Sequence, residues 1–561
     1  MAMLRRSRPT PVFASTADVP AVSPPPAGAQ APARDAGTPW WSPRNFYIGL
    51  LIVSVTVGAL SLLIPSTPSY DPWAWIVWGR EIVHLNLHTT GGPSWKPLPM
   101  LFTTVFAIFG KAEPNLWLVV ARAGAFAAVV MVFRLSFRLT RQIGSYFAGP
   151  APAVNRLLAI APALLAGTIA AVGLALSGGY ISDNALGYSE GLATALMLVA
   201  IERHLDGHRH QAFAVGFFVA LDRPEIWLFW GPYGLWLWWR DPDARRLVVS
   251  LFVLIPVLWF LPEYWGSGHF LRGVTRAQHP RSNSLAFAKS PFFSELVDAA
   301  WPTILLRLKA AAAVLVAVVA FLRWRSWRHG DRPALHTPAA RAQTSAALMG
   351  AAGLAWFVVI ATMTQIGFSG NNRYLVLGSA LVEVCGAVAW GWTAQELGTA
   401  GARILGRRRR SAGASAAPAG AATGLVVVAA VFALAPNWVG SNLISIPRTH
   451  RSLVYQADLR TGVTALVQRY GGAAKVLGCG TVMTEGFQVP MVAWTLDVHT
   501  AGIEAPPAPG QQVAAPNVIL QARDTRDASL LPYLSSWPTV HYTYAGTSGP
   551  FRMFTHCRGT A

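Results

Sequence analysis

The chain has 561 residues, of which 53% are hydrophobic and 12% charged, with 23 tryptophans. Soluble domains carry about a quarter charged residues, so this balance excludes an ordinary soluble enzyme and reads as a polytopic membrane protein. Basic residues outnumber acidic ones by 45 to 25, a net charge of +20; the arginines fall in short clusters between apolar runs, which is the pattern of membrane topology and not of a nucleic-acid surface.

In chain order, residues 1–43 are rich in Pro, Ala and Ser and carry Arg5, Arg6 and Arg8, the composition of a disordered cytoplasmic tail. Residues 46–64 form the first span, about 20 residues being enough to cross the hydrocarbon core. No small-residue cleavage site follows, so the span reads as a retained anchor. An outside loop over 65–114 comes next, and it holds a short apolar helix at 99–109 that is too short to cross and is expected to lie at the interface.

Further spans are read at 115–137, 157–176, 188–201, 247–261, 301–321, 345–365, 374–393 and 421–434. Between Arg209 and Arg240 the apolar runs 211–221 and 226–239 read as a broken pair of short helices, with Asp222-Arg223-Pro224-Glu225 at the apex. Counting that pair as two gives about 11 transmembrane helices. Every loop placed inside by this count is basic, as with Arg138 and Arg141, Arg240 with Arg245 and Arg246, and Arg407 to Arg410, which fits the bias of cytoplasmic loops. The long outside loop at 262–300 is basic as well, and long loops translocate despite their charge.

An odd count with the amino terminus inside puts residues 437–561 outside, as a small extracytoplasmic α/β domain after a transmembrane domain at 44–436. Residues 455–470 have helical periodicity, and 474–477, 489–494, 518–521 and 540–544 read as short strands. Cys479 and Cys557 lie in this domain, where a disulfide is permitted and two free thiols are the alternative. Cys385 sits in a span and reads as packing.

Three stretches carry a family resemblance: "YDPWAWIVWGREI" after the first span with "WKPLPMLFTTVFAIFG" behind it, "YSEGLATALMLVAIERHLDGHRHQAFAVGFFVALDRPEIWLFWGPYGLWLW", and "GNNRYLVLGSAL" opening a late span. Together they resemble the GT-C fold of integral membrane glycosyltransferases, which use polyprenyl-phosphate-linked sugars and include mannosyl- and arabinosyltransferases. The resemblance implies an enzyme of the plasma membrane that moves a sugar from a polyprenyl-phosphate donor to a cell-envelope or glycan acceptor on the outer face, with the lipid bilayer and a glycan or lipid acceptor as partners. Nucleic acid is not among them.

An inverting transfer needs a base for the acceptor hydroxyl, and Asp71 is the candidate. Fixed cations must meet the charge developing on the phosphate, and Arg223, Arg373 and Lys96 are the candidates. Tyr70, Glu81, Asp183, Glu190, Glu225 and Tyr374 complete the substrate-binding set. Each has a structural alternative. Asp71 before Pro72 also fits a helix N-cap, Trp73, Trp75 and Trp78 an interfacial aromatic belt, Arg223 with Glu225 a local ion pair, Arg373 a snorkelling flank, and Asp183 or Glu190 capping of a helix beginning at Tyr188.

His84 and His88 have metal-ligand spacing on a helix but no third ligand, and read as loop histidines. Tyr70 and Pro72 stand where many relatives carry a second acid, which weighs against metal dependence. No Gly-rich phosphate loop is present, and no cofactor is expected. The other function classes are a transporter of lipid or glycan, since broken helices with a charged apex also form transporter sites, and a non-catalytic envelope assembly protein. Against the transporter, the apolar pattern shows no second broken segment in the later half.

Overall fold

The computed structural model describes residues 43–144, 153–280, 284–330, 336–408, 417–433, 436–507 and 510–557. The chain divides into two units, Met1–Gly49 and Leu50–Ala561. Of the first, only the opening turns of the Pro43–Leu60 helix are described, so the tail expected before it lies outside the described residues.

Among the described residues, five helices are long and apolar enough to cross a membrane: Arg44–Leu63, Pro97–Ile143, Pro242–Ser267, Pro338–Gln365 and Asn372–Gly401. Their surroundings differ. Val249, Val253, Leu254 and Leu261 of the Pro242–Ser267 helix are exposed, as side chains facing lipid are. Leu377, Val382, Val384 and Val388 of the Asn372–Gly401 helix are buried, which puts that helix inside the bundle. Shorter helices run over Glu190–Leu205, Arg209–Ala220 and Trp227–Arg240, with Asp222 and Arg223 in the turn and a 3₁₀ turn at Pro224–Ile226 between the last two.

One expectation is corrected in the later half. The span expected at 301–321 is not continuous: Ile304 and Leu305 are extended, and the helices Pro291–Thr303 and Leu306–Arg328 are bent by 105° across them. Both extended residues are buried, so the apolar pattern runs unbroken through a two-residue break and conceals it. A second broken segment therefore does exist in the half of the chain where none was legible.

The short helix expected at 99–109 is Pro97–Phe106, continued by a 3₁₀ turn at Ala107–Ala112 before the long Glu113–Ile143 helix. The chain turns at Gly110, whose φ of 52° and ψ of −118° belong to a region that only glycine enters readily.

The Tyr70–Val83 helix is the pivot of the fold. Its residues Trp73 to Trp78 are all at most 1% exposed, so the aromatic-belt alternative is overturned. Each tryptophan meets a different neighbour: Trp73 lies 5.2 Å from Trp494 of the C-terminal part, Trp75 lies 5.6 Å from Trp117, and Trp78 lies 5.6 Å from Trp95. Such ring pairs add about 0.5–1.5 kcal/mol each beyond their burial.

The C-terminal part is a small α/β domain. Strands β1 (Val482–Thr484), β2 (Ile503–Glu504), β3 (Val518–Gln521), β4 (Thr543–Ser548) and β5 (Phe551–Thr555) form one sheet in the order β2-β1-β3-β5-β4. β1 runs parallel to β2 and β3, while β5 is antiparallel to β3 and β4. The Ile446–Tyr470 helix buries Leu459, Val463, Leu466 and Val467 in the core shared with this sheet. Cys479 and Cys557 are disulfide-bonded with Cα atoms 4.5 Å apart, and Cys385 is a buried free thiol.

Two expected strands are helices instead: 474–477 lies in Ala473–Cys479 and 489–494 in Val489–Leu496. Runs this short do not distinguish the two states by periodicity: only Val476 is buried in the first, whereas 489–493 are all buried, and Pro490 in the first turn is a helix-start signal. The strand expected at 540–544 begins only at Thr543.

Gly79 lets the Tyr70–Val83 helix touch Pro97–Phe106, because a Cβ there would stand 2.6 Å from the carbonyl carbon of Thr103. Gly79→Ala is therefore expected to destabilise the protein by about 1–3 kcal/mol through overpacking, read as a lowered Tm in thermal unfolding of the purified protein.

Candidate active site

Asp71 enters the site from the first turn of the Tyr70–Val83 helix. The residue at the N-cap is Ser69, so the capping alternative for Asp71 is corrected by two positions. Ser69 is fixed in turn by its N–H, which donates to Leu186 O at 2.9 Å, and by its hydroxyl, 3.0 Å from the Tyr188 hydroxyl. Asp71 still gains from the positive end of the helix, and its carboxylate is left free to face a cation.

That cation is Arg373, in the 3₁₀ turn Asn372–Leu375 that opens the Val376–Arg408 helix. Its Nη2 donates to Asp71 Oδ2 at 2.7 Å, and its guanidinium lies 4.0 Å from the Tyr188 ring centre and 5.3 Å from that of Tyr374. Arg223, at the apex of the broken pair, lies 4.2 Å over the other part of this sandwich, the Tyr374 ring. Both guanidiniums thus lie near the Tyr374 ring.

Glu190 joins the parts. It is the first residue of the Glu190–Leu205 helix and is 1% exposed. Its Oε1 accepts from Arg223 Nη2, lies 3.5 Å from Lys96 Nζ and stands 4.0 Å from Arg373 Nε. Lys96 also reaches Ser189 Oγ at 3.3 Å and Asp222 at 3.9 Å, and stands 5.4 Å over the Trp75 ring. The start of the Pro97–Phe106 helix is held to the broken pair by the Leu98 N–H, which donates to Leu221 O at 3.0 Å. Arg223 lies 3.9 Å from both Asp222 and Glu225, so the local pair considered from sequence is one contact among several.

The cluster therefore sets Asp71, Glu190, Asp222 and Glu225 against Lys96, Arg223 and Arg373. Among the described residues, both oxygens of Asp222, Oε2 of Glu225, Nε of Arg223 and Nη1 of Arg373 make no hydrogen bond. Buried polar groups are ordinarily satisfied, so the cluster has unused donors and acceptors suited to a charged, polar ligand.

Of the residues chosen from sequence, Asp71, Lys96, Glu190, Arg223, Glu225, Arg373 and Tyr374 come together here. Tyr70 sits beside them, its ring 6.1 Å from Phe487 of the C-terminal domain. Asp183, on the short Tyr180–Ala185 helix, is near enough to feel Arg373 and Glu190. Glu81 is elsewhere: ten residues along its helix, about 15 Å at helical rise, it accepts from the His88 N–H at 2.9 Å and meets His499 Nδ1 at 2.8 Å. Burial raises its pKa against these opposing bonds. Its place is in the joint between the Tyr70–Val83 helix and the C-terminal domain.

His84 caps the end of that helix, whose last residue is Val83, so the four-residue spacing to His88 is not helical. Among the described residues no group of three or more metal-ligating side chains occurs. Two members of the cluster were not singled out from sequence. Asp222 is adjacent to Arg223 at the same apex and was legible as part of it, whereas Tyr188 carries no sequence signal for its place under Arg373.

The fold and the cluster define a class: a helical membrane protein with a small C-terminal α/β domain and a buried ionic site built from the starts of several helices. No family model matches the chain, and no curated protein matches it. Among solved structures, ArnT from Cupriavidus metallidurans bound to undecaprenyl phosphate aligns with a TM-score of 0.45 and the apo state of ArnT from Cupriavidus metallidurans with 0.48. In both cases the identity is 13%, over 91% of this chain and 98% of the other.

Burial pushes the Asp183 carboxyl up from 3.8 to about 6, with Arg373 opposing and Glu190 adding to the rise. The fold therefore favours the protonated form, and that contribution is complete below about pH 4 and lost as the pH rises through about 6. Asp183→Asn, neutral throughout, is expected to gain in Tm over the wild type between pH 4 and 6 and to keep a level advantage above that range. Thermal unfolding across pH 4–8 checks it.

Proposed function

We propose that this chain is an integral membrane glycosyltransferase that moves a hexosyl or pentosyl unit from a polyprenyl phosphate to a hydroxyl of a cell-envelope or glycan acceptor, with inversion. The observation that carries the reading is the Asp71–Arg373 pair at 2.7 Å, set at the edge of a buried cluster that also holds Lys96 and Arg223. A base and several phosphate-binding cations are the parts such a transfer needs. The resemblance of the three quoted stretches to the GT-C fold supports the same chemistry.

In this reading the donor phosphate binds Arg373, Arg223 and Lys96, drawing Arg373 away from Asp71 and leaving that carboxylate to the acceptor. Asp71 takes the hydroxyl proton as the acceptor oxygen bonds to the anomeric carbon. The bond from that carbon to the phosphate oxygen breaks with its electron pair, and the polyprenyl phosphate leaves with its charge held by the three cations. One displacement from the opposite face inverts the centre. Tyr70, Asp183, Glu190, Glu225 and Tyr374 shape the pocket around the sugar.

An apolar recess of about 380 Å³, lined by Pro256, Val257, Phe260, Leu261, Phe270 and Leu271, supports a lipid-borne donor. It lies on the helix whose Glu263 accepts from the Trp95 N–H at 3.2 Å, one residue from Lys96. The reading places the tail at 1–43 in the cytoplasm, the membrane domain over 44–436, and the C-terminal domain over 437–561 on the outer face of the plasma membrane.

A second reading, transport of a lipid or glycan, is favoured by the bent pair Pro291–Thr303 and Leu306–Arg328, since transporters build sites from broken helices in both halves. Purified protein in lipid, supplied with a panel of radiolabelled polyprenyl-phosphate sugars, separates the two. Transfer by the wild type that falls by about 10²–10⁴ in well-folded Asp71→Asn is the expected result. Movement of the intact donor across the bilayer without transfer would sink the enzyme reading in favour of the transporter.

A further inference from the structure

Glu383 is an acid that the ionic cluster does not use. It lies on the Asn372–Gly401 helix and is fully buried. Ten residues past Arg373, it stands about 15 Å further along at helical rise, half the roughly 30 Å of a hydrocarbon core. Among the described residues neither of its oxygens makes a hydrogen bond, and no cation offsets its charge. Ser379 lies on the same helix face four residues earlier; it too is fully buried, with an Oγ that makes no hydrogen bond. Tyr180, near enough to feel the Glu383 carboxyl, donates its hydroxyl to Ala125 O at 2.8 Å instead. Buried polar groups are ordinarily satisfied, and an acid at membrane depth is a functional site by default.

The bent pair of the later half packs against this acid. A Cβ added at Gly173 of the Ala153–Ala175 helix would stand 3.4 Å from Glu383 Cδ and 3.3 Å from Leu308 Cδ1, so the carboxyl and Leu308 meet over one glycine. At Gly386, less than a turn past Glu383, a Cβ would collide with Leu308 O; its absence lets that backbone touch the helix. The Leu308 N–H in turn donates at 2.8 Å to the carbonyl of Leu305, one of the two extended residues of the break. Backbone released from helical bonding beside a buried polar site is where membrane proteins coordinate Na⁺ or H⁺. The acceptors here decide between the two. A proton would neutralise Glu383 but leave its second oxygen and Ser379 Oγ without a partner. Oxygen donors suit a hard cation, and a single carboxylate is balanced by a single positive charge, whereas a divalent ion would leave an excess charge at a depth where that is costly.

We propose that Glu383 and Ser379 bind one sodium ion inside the membrane domain, beside the break of the bent pair. The ion takes the Glu383 carboxylate and the Ser379 hydroxyl oxygen as ligands and holds the Leu306–Arg328 helix against the helix that carries Arg373. Glu383 is not part of the cluster around Glu190, so sodium binding does not depend on the transfer reading of the preceding subsection.

The test uses the full chain in lipid nanodiscs, with radiolabelled sodium as the probe and choline chloride holding the ionic strength constant. Retained label reads binding, and thermal unfolding reads the linked gain in stability, which grows with ligand concentration above Kd. The wild type is expected to bind sodium saturably and to show a higher Tm in sodium chloride than in choline chloride. Glu383→Gln, a neutral side chain of the same shape, is expected to lose both effects and to unfold in choline chloride no earlier than the wild type, because it removes an uncompensated buried charge. Ser379→Ala keeps the carboxylate and is expected to raise Kd about tenfold, equal to 1.4 kcal/mol. A wild type that binds no sodium and has the same Tm in both salts overturns the proposal, as does unchanged binding in the folded variants. A Tm that follows pH and not sodium, in a manner that Glu383→Gln abolishes, assigns a proton to the carboxyl and overturns the sodium site. Sodium binding in a chain that transfers no sugar keeps the site and removes the transferase; sugar transfer with no sodium binding does the reverse.

Discussion

Glu190 contributes one buried oxygen to three cations at once, and the rest of the site is arranged around that sharing. Moving an ion out of water costs several kcal/mol even after relaxation, so Lys96, Arg223 and Arg373 are tolerable together only because Glu190 accepts from Arg223 and lies within 4.0 Å of the other two. Asp71, Asp222 and Glu225 then balance the outer sides of the same cations. The aromatic rings follow from the same constraint. Tyr374 near both guanidiniums and Tyr188 against that of Arg373 offer π faces that attract cations without adding a negative charge.

Such a cluster needs rigid walls, and the Tyr70–Val83 helix supplies one. Its tryptophans bind it to three separate neighbours, and at its far end Arg80 donates to Val498 O at 2.8 Å and pairs with Asp497 at 2.7 Å. Together with the Glu81–His499 contact, these bonds hold the C-terminal domain against the same helix that carries Asp71. One short helix thus orients both the ionic site and the domain beside it.

Much of this was visible in the residues, though unevenly. Asp71, Arg223 and Arg373 stand out because an ionisable group at the mouth or break of an apolar run is costly wherever it is not used. The Arg-Pro-Glu break was legible because proline and charge interrupt helical periodicity. The pairing of Asp71 with Arg373 was not, since hydropathy and periodicity are local and say nothing about contacts across the chain. The break at Ile304–Leu305 was hidden because both extended residues are apolar, and the tryptophans of 73–78 resembled an interfacial belt because indole suits both that setting and a core. In the C-terminal domain, β3 was legible as a strand, whereas 474–477 and 489–494 are helices whose runs are too short to carry a period.

The separation of 302 residues between Asp71 and Arg373 has a consequence for synthesis. Lys96, Glu190 and Arg223 emerge from the ribosome within one stretch and can settle against one another as their helices insert. Asp71 has to wait for the Asn372–Gly401 helix, and Trp73 for Trp494 after it. During that interval the nascent chain carries an acid without its guanidinium partner and a tryptophan-lined surface without its cover. Completion of the cluster is thereby tied to completion of the chain, and a fragment released early would lack the Asp71–Arg373 pair and leave its tryptophan surface uncovered.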